Sequence, residues 1–266
     1  MAADGAPQIH ETAHVAEGAE IGAGAQIGPF CTIGAQVRIG PGTVLTSHVA
    51  VAGRTTIGAE NCIFPFASLG QIPQDLKYAG EPTELVIGDG NTIRESTTMN
   101  IGTAGGGGVT RIGDGCLFMN ICHVGHDCQI GNGVIMATGA TLGGHVTIGD
   151  GAIIGGLAAV HQFCRIGTGA MISGLAAIAA DVIPYASVTA QRARMKGLNV
   201  VGLRRRDIDK DRIKTLRTAY IRLFEDDGAV SDKLDAVAHD LGHEPLVREM
   251  LDFIAAGSSR QFTAPE

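Results

Sequence analysis

Aliphatic residues recur every six positions along most of the chain. Stepping from Ile9 one meets Val15, Ile21, Ile27, Ile33, Ile39, Leu45, Val51, Ile57, Ile63 and Leu69 without a miss. After a gap come Ile87, Ile93 and Met99, and after a one-residue change of phase the count runs from Ile112 through Phe118, Val124 and Ile130 to Ile178. A helix of period 3.6 or a lone strand of period two produces no such pattern; short strands joined by tight corners do. Two residues before each aliphatic sits a second small or β-branched residue, such as Ala25, Thr43, Val134, Ala140 or Ala152, and glycine commonly follows, as in Ile21-Gly22 and Ile148-Gly149. Both positions are expected to point inward and fill a narrow prism. The pattern is that of a hexapeptide-repeat parallel β-helix, with three hexads to a coil, so residues eighteen apart should stack at about 4.8 Å.

Two interruptions, at about 70–86 and 102–110, are expected to be expelled as loops, where binding residues often lie. Residues 1–190 are thus assigned to the β-helix and 191–266 to a C-terminal helical domain. In the latter, the apolar spacing predicts a helix from Ile208 to Phe224, a shorter one after Ser231 and one opening at Pro245. Such a domain would cover the unpaired strand edges of the last coil.

Composition adds compartment and partners. The N-terminus has no basic region followed by an apolar run and no stretch is apolar enough to span a bilayer, so a cytoplasmic protein without membrane insertion is expected. Six cysteines in a chain this long imply reduced thiols rather than a disulfide framework. The net charge of −7 hides an asymmetry, because residues 191–217 hold ten of the twenty basic residues, including Arg192, Arg194, Lys196, Arg204, Arg205 and Arg206. This basic segment is either a solvated helix face or a docking surface for an anionic partner. Without interleaved aromatics, and on an acidic chain, it does not suit nucleic acid.

The stretch ICHVGHDC, Ile121 to Cys128, looks at first like a metal site. In register, however, Cys116, Cys122 and Cys128 each fall two residues before an aliphatic, as do Cys31 and Cys164. They are expected to be core filler, and buried sulfurs and outward histidines cannot face one ion, so no metal is assigned. Steps of eighteen place His126 above Gly144 and Gln162, Asp127 above His145 and Phe163, and Gly125 above Gly143 and His161. Four of nine histidines, His123, His126, His145 and His161, therefore gather at or beside one edge. Histidine suits proton transfer near neutrality, and glycine leaves a backbone NH open to a developing oxyanion.

Six stretches carry a likeness to a known family: DLKYAGEPT (Asp75 to Thr83), IRES (Ile93 to Ser96), HVGHDC (His123 to Cys128), LGGHVTIGD (Leu142 to Asp150), IIGGLAAVHQFC (Ile153 to Cys164) and GLNVVGLRRR (Gly197 to Arg206). They resemble the acyl-carrier-protein-dependent UDP-N-acetylglucosamine O-acyltransferases of lipid A biosynthesis. The resemblance implies an all-β left-handed parallel β-helix with a C-terminal α-helical domain, assembled as a homotrimer with active sites between subunits. It further implies that His126 is the general base acting on the sugar 3-hydroxyl, that Asp127 orients it and that the Gly144 NH holds the oxyanion. Asp75 and Lys77 would contact sugar and substrate, His123, His145, His161 and Gln162 would line the acceptor and acyl groove, Asn199 and Arg205 would contact nucleotide or phosphate, and Gly174 would bear on chain length. The partners implied are acyl carrier protein and UDP-N-acetylglucosamine, with no cofactor beyond the carrier's phosphopantetheine. Thr98-Met99-Asn100-Ile101, Asn120-Ile121-Cys122 and Val201 depart from that family's pattern.

Other classes predict other features. A sister N-acyltransferase would carry an extra N-terminal domain, a CoA-dependent acetyltransferase would lack DLKYAGEPT and the helical tail, a β-helix carbonic anhydrase needs three outward zinc histidines, and a structural solenoid predicts no histidine edge.

Overall fold

A computed structural model describes residues 5–189, 193–257 and 260–265. From Gln8 to Ile178 the chain winds into a three-sided parallel β-helix whose strands are mostly two residues long. Its three faces hold nine, nine and eight strands, and two later strands bring the first sheet to eleven. Face one carries Ile9, Ile27 and their successors to Ile172, face two runs from Val15 to Ile178 and face three from Ile21 to Ile166. Partners eighteen apart pair in register, as Gln8 with Gln26 and Gln129 with Thr147. The inward aliphatics and the small residues before them form one continuous core.

Most hexads turn a corner on a residue in the left-handed region, where a side chain is strained unless its surroundings hold it. The edge between faces one and two bears Phe30, Phe66, Ile121, Leu157 and Leu175 in this conformation, all exposed. The edge between faces three and one uses glycines such as Gly133 and Gly151. Beside them the side chains of Asp89, Asp114, Asn132 and Asp150 each accept the amide of the coil before, at 2.7–2.8 Å. Backbone groups that a solenoid would leave bare are thereby paired.

The expelled stretches are shorter than the sequence reading puts them. Strands Ser68–Gln71 and Glu84–Ile87 absorb both flanks of the first, leaving residues 72–83, and Val109–Ile112 absorbs the end of the second. Hexad counting misplaces these flanks because the strands beside an insertion lengthen to four residues. Both loops leave from the edge between faces two and three, in consecutive coils.

Beyond Ile178 the strand Ala186–Thr189 extends face one and pairs antiparallel with Arg194–Leu198, so the basic segment opens as a strand rather than a helix. Helices α1 (Val200–Arg205), α2 (Lys210–Phe224), α3 (Val230–Leu241) and α4 (Pro245–Ala255) follow. Asn199 caps α1 through its side chain, Asp209 caps α2, and Pro245 occupies the first turn of α4. Buried Asp181 accepts from Arg165 Nε at 2.7 Å, and that guanidinium lies over the Phe253 ring, joining the last coils to α4. Arg192 lies outside the described residues. Among the described residues no helix is long and apolar enough to cross a membrane.

Candidate active site

Val124 and Leu142 point into the core, which turns the next three residues of each coil onto the edge between faces two and three. Asp127, His145 and Phe163 occupy its left-handed positions, at φ 59°, 61° and 65°. Ladder bonds hold them there: the Asp127 amide donates to Thr110 Oγ1, the His145 amide to the His126 carbonyl and the Phe163 amide to the Gly144 carbonyl. The stacking expected from steps of eighteen is thus realised.

The Asp127 carboxylate is buried and accepts from His126 Nδ1 at 2.8 Å. A donor at Nδ1 leaves Nε2 with its lone pair free. The ring lies against Gly144, where a Cβ would come within 2.6 Å of Nε2, so a side chain at 144 would displace the imidazole. The amides of Gly143 and His145 are engaged in the ladder; among the described residues nothing accepts from the Gly144 amide. His145 packs edge-on to His126, places Nε2 3.9 Å from Asp127 Oδ2, and stacks on Phe163 at 4.4 Å.

Burial alone would raise the Asp127 pKa, but the Thr103 hydroxyl, His126 and the Thr103 amide outweigh it and hold the carboxyl below its ordinary value. Burial lowers the pKa of His145, against the pull of the Asp127 charge. His123 stands mid-face, its Nδ1 2.8 Å from Thr98 Oγ1, and burial followed by the neighbouring His126 lowers its pKa. The atoms of His126, Asp127 and His145 that could bind a metal lie within 4.8 Å of one another, but Nδ1 and Oδ2 are already spent on each other.

The thiols lie on the other side of the wall. Cys122 and Cys128 are buried, donate to core carbonyls, and are pushed up by burial to about 11 and about 12. They remain protonated thiols, unsuited to ligate a metal or attack an acyl group.

Other expected residues are distributed unevenly. Asp75 and Lys77 sit on the first expelled loop, where the Lys77 amide donates to Asp75 Oδ1, and the Asp75 charge reaches His145. His161 and Gln162 continue the histidine edge one coil on, with Arg260 bonded to His161 Nδ1 and the Gln162 carbonyl. Gly174 lies on the edge between faces one and two. Asn199 donates to the Gly169 carbonyl beside the edge between faces three and one, and exposed Arg205 ends α1 nearby. One chain therefore brings together His126, Asp127, Gly144 and His145 but puts Gly174, Asn199 and Arg205 at other edges. Sequence reasoning missed Thr103 and Thr110 and noted Thr98 only as a departure from the family's pattern, although stepping back eighteen from Asp127 lands on Val109, at the end of the second insertion.

Family models match at both ends of the architecture. The bacterial transferase hexapeptide model matches residues 12–47 and 110–144, and the model described as UDP N-acetylglucosamine O-acyltransferase, domain 2, matches 181–263. The acyl-(acyl-carrier-protein)–UDP-N-acetylglucosamine O-acyltransferase of Rickettsia canadensis (strain McKiel) is 52% identical over 254 residues, 96% of each chain. The chain belongs to this O-acyltransferase family. The Rickettsia peacockii (strain Rustic) member is 51% identical over the same share. The crystal structure of UDP-N-acetylglucosamine O-acyltransferase from Moraxella catarrhalis, 42% identical, superposes with a TM-score of 0.93 over 96% of this chain and 99% of that one. The Francisella novicida UDP-N-acetylglucosamine acyltransferase gives 0.94 at 38% identity, over 97% and 94%. The fold is the family's left-handed parallel β-helix with a helical C-terminal domain, and the chain is an O-acyltransferase of that family.

Proposed function

We propose that the chain transfers a 3-hydroxyacyl group from acyl carrier protein to the 3-hydroxyl of UDP-N-acetylglucosamine, the first step of lipid A biosynthesis, in the cytoplasm. The observation that carries this reading is the His126–Asp127 pair seated on Gly144. Nε2 of His126 takes the proton of the sugar hydroxyl as its oxygen attacks the thioester carbonyl. The open Gly144 amide donates to the resulting oxyanion, a contribution of roughly 10²–10³ in rate for one such donor. Collapse breaks the carbon–sulfur bond, and the pantetheine sulfur leaves with the proton from His126. Asp127 stays ionised and stabilises the transient imidazolium.

No acyl-enzyme is required, since the alcohol attacks directly, and the chemistry needs no metal or cofactor beyond the carrier's phosphopantetheine. Asp75, Lys77, His123, His145, His161 and Gln162 line the acceptor and acyl groove in this reading. Gly174, Asn199 and Arg205 can join them only if a neighbouring copy presents its other edges, which supports a homotrimer with sites between subunits. The exposed arginines of the basic segment suit an acidic carrier protein. The deciding assay follows acyl transfer by mass spectrometry across carrier-bound chain lengths, with hydroxyl and amino acceptors in parallel. Turnover with the hydroxyl acceptor that vanishes in His126→Ala is expected; transfer only to an amine would overturn the reading.

A further inference from the structure

The second expelled loop, from Ile101 to Gly108, folds back onto one side chain. Thr103 donates its amide to both Asp127 oxygens, at 2.9 and 3.1 Å, and its hydroxyl to Oδ2 at 2.6 Å. A threonine that caps a helix ordinarily accepts an amide from the first turn. Thr103 precedes the short 3-10 turn Ala104–Gly106 and makes no such cap, because its hydroxyl is turned to Asp127 instead.

The rest of the loop is shaped around that contact. The amides of Gly106 and Gly108 return to the Thr103 carbonyl at 3.1 and 2.9 Å. Gly107 and Gly108, at φ 96° and 83°, supply the left-handed backbone that the return needs. Gly106 lies against the carboxylate itself: a Cβ there would sit 2.1 Å from Asp127 Cγ, so no side chain fits. At the loop's exit, Thr110 accepts the Asp127 amide at 2.8 Å.

We propose that Thr103 is a positioning residue for the reaction, and that the glycine-rich loop is a clamp that fixes the Asp127 carboxylate on His126. A second claimant makes the clamp necessary. His145 Nε2 lies 3.9 Å from the same Oδ2 that His126 uses, so a small rotation of an unrestrained carboxylate would hand it to the wrong imidazole. The three contacts from Thr103 resist that rotation and keep Nδ1 of His126 as the donor and Nε2 as the base.

The inference rests on His126 being the base, and its test separates the two. Thr103→Val keeps the amide contacts and removes the hydroxyl. Its kcat is expected to fall roughly tenfold, with KM for the nucleotide sugar unchanged, which is the scale of one hydrogen bond to a charged group. Thr103→Ser should restore it. In an Asp127→Asn background Thr103→Val should cost nothing further, whereas a merely structural loop residue would cost the same in both. Melting temperatures of all variants exclude unfolding as the cause. Wild-type kcat in Thr103→Val, or a full second loss in the Asp127→Asn background, overturns the clamp. An active His126→Ala overturns instead the reading on which it rests.

Discussion

His126 and Asp127 are consecutive residues whose side chains nonetheless meet, Nδ1 to Oδ2 at 2.8 Å. Consecutive side chains in a strand point to opposite faces, so extended backbone would separate them. The left-handed turn at Asp127 brings the carboxylate round beside the ring, and the coils on either side hold that strained conformation in place. The left-handed turn that most corners of the prism use thus brings this one pair of side chains together, which is the geometry the proposed proton transfer needs.

Removing either half of this pair should stop the chemistry without unfolding the solenoid. In the proposed mechanism His126→Ala loses the base, and Asp127→Asn loses the charge that stabilises the imidazolium and fixes its tautomer. In each, kcat is expected to fall by about 10²–10⁴. Release of carrier thiol measures the rate, and thermal melting checks the fold. An Asp127→Asn enzyme within about twofold of wild type, judged against that scale, would show that the carboxylate does not act through His126.

The same environment makes stability depend on pH. Burial lowers the pKa of His123 and of His145 in the folded protein, while the unfolded residues titrate near 6.5. Between the folded and unfolded values the unfolded chain binds protons that the native one refuses, so stability rises with pH there. It is complete above about 6.5 and declines as pH falls through the folded values. Asp127, depressed in the fold, adds a second loss below about 3.9. Melting temperature should therefore be higher at pH 7.5 than at pH 5.5, and replacing His123 and His145 together by glutamine should flatten that difference. An unchanged slope would mean that other groups carry it.

Cys128 offers a test of the wall between core and edge. It is buried and adjacent to Asp127, yet its thiol donates to the Gly143 carbonyl inside the prism. Cys128→Ala should cost about 1 kcal/mol of stability for the lost volume and leave kcat unchanged. Cys128→Ser places a hydroxyl in the same slot and should cost about 1–3 kcal/mol. A folded Cys128→Ala protein without activity would return the thiol to the chemistry.

Much of this was legible in the sequence because a period of six leaves little freedom. Once the coil is eighteen residues, the column of Asp127, His145 and Phe163 follows by counting, and so does the burial of five cysteines. The Thr103 contact did not follow, because the second insertion changes the step between stacked residues to 25, as between Thr98 and His123, and counting breaks where the clamp begins. Helix α1 was missed for a local reason: six residues with Gly202 inside carry too little apolar period, and the Asn199 side chain that caps it, accepting the Gly202 amide, is visible only in the fold. Both insertions leave at the histidine edge, in the coils just before it, a pattern that the sequence held and that hexad counting did not use.

The separation of expected site residues onto different edges makes a prediction about assembly. His126 lies between faces two and three, whereas Arg205 lies with α1 near the edge between faces three and one. If both serve one site, they come from different copies. His126→Ala and Arg205→Ala should each be impaired alone, the second mainly in KM for the nucleotide sugar. If the copies assemble as the proposed cyclic trimer, equal co-expression gives mixed trimers in which about a quarter of the interfaces pair an intact His126 with an intact Arg205. Activity should return to roughly that fraction of wild type. If one chain held the whole site, no mixed trimer would contain a complete one, and mixing would give only the sum of the two impaired rates. Size-exclusion chromatography with light scattering checks that trimers form, and recovery that follows the mixing ratio separates a shared site from a repaired fold.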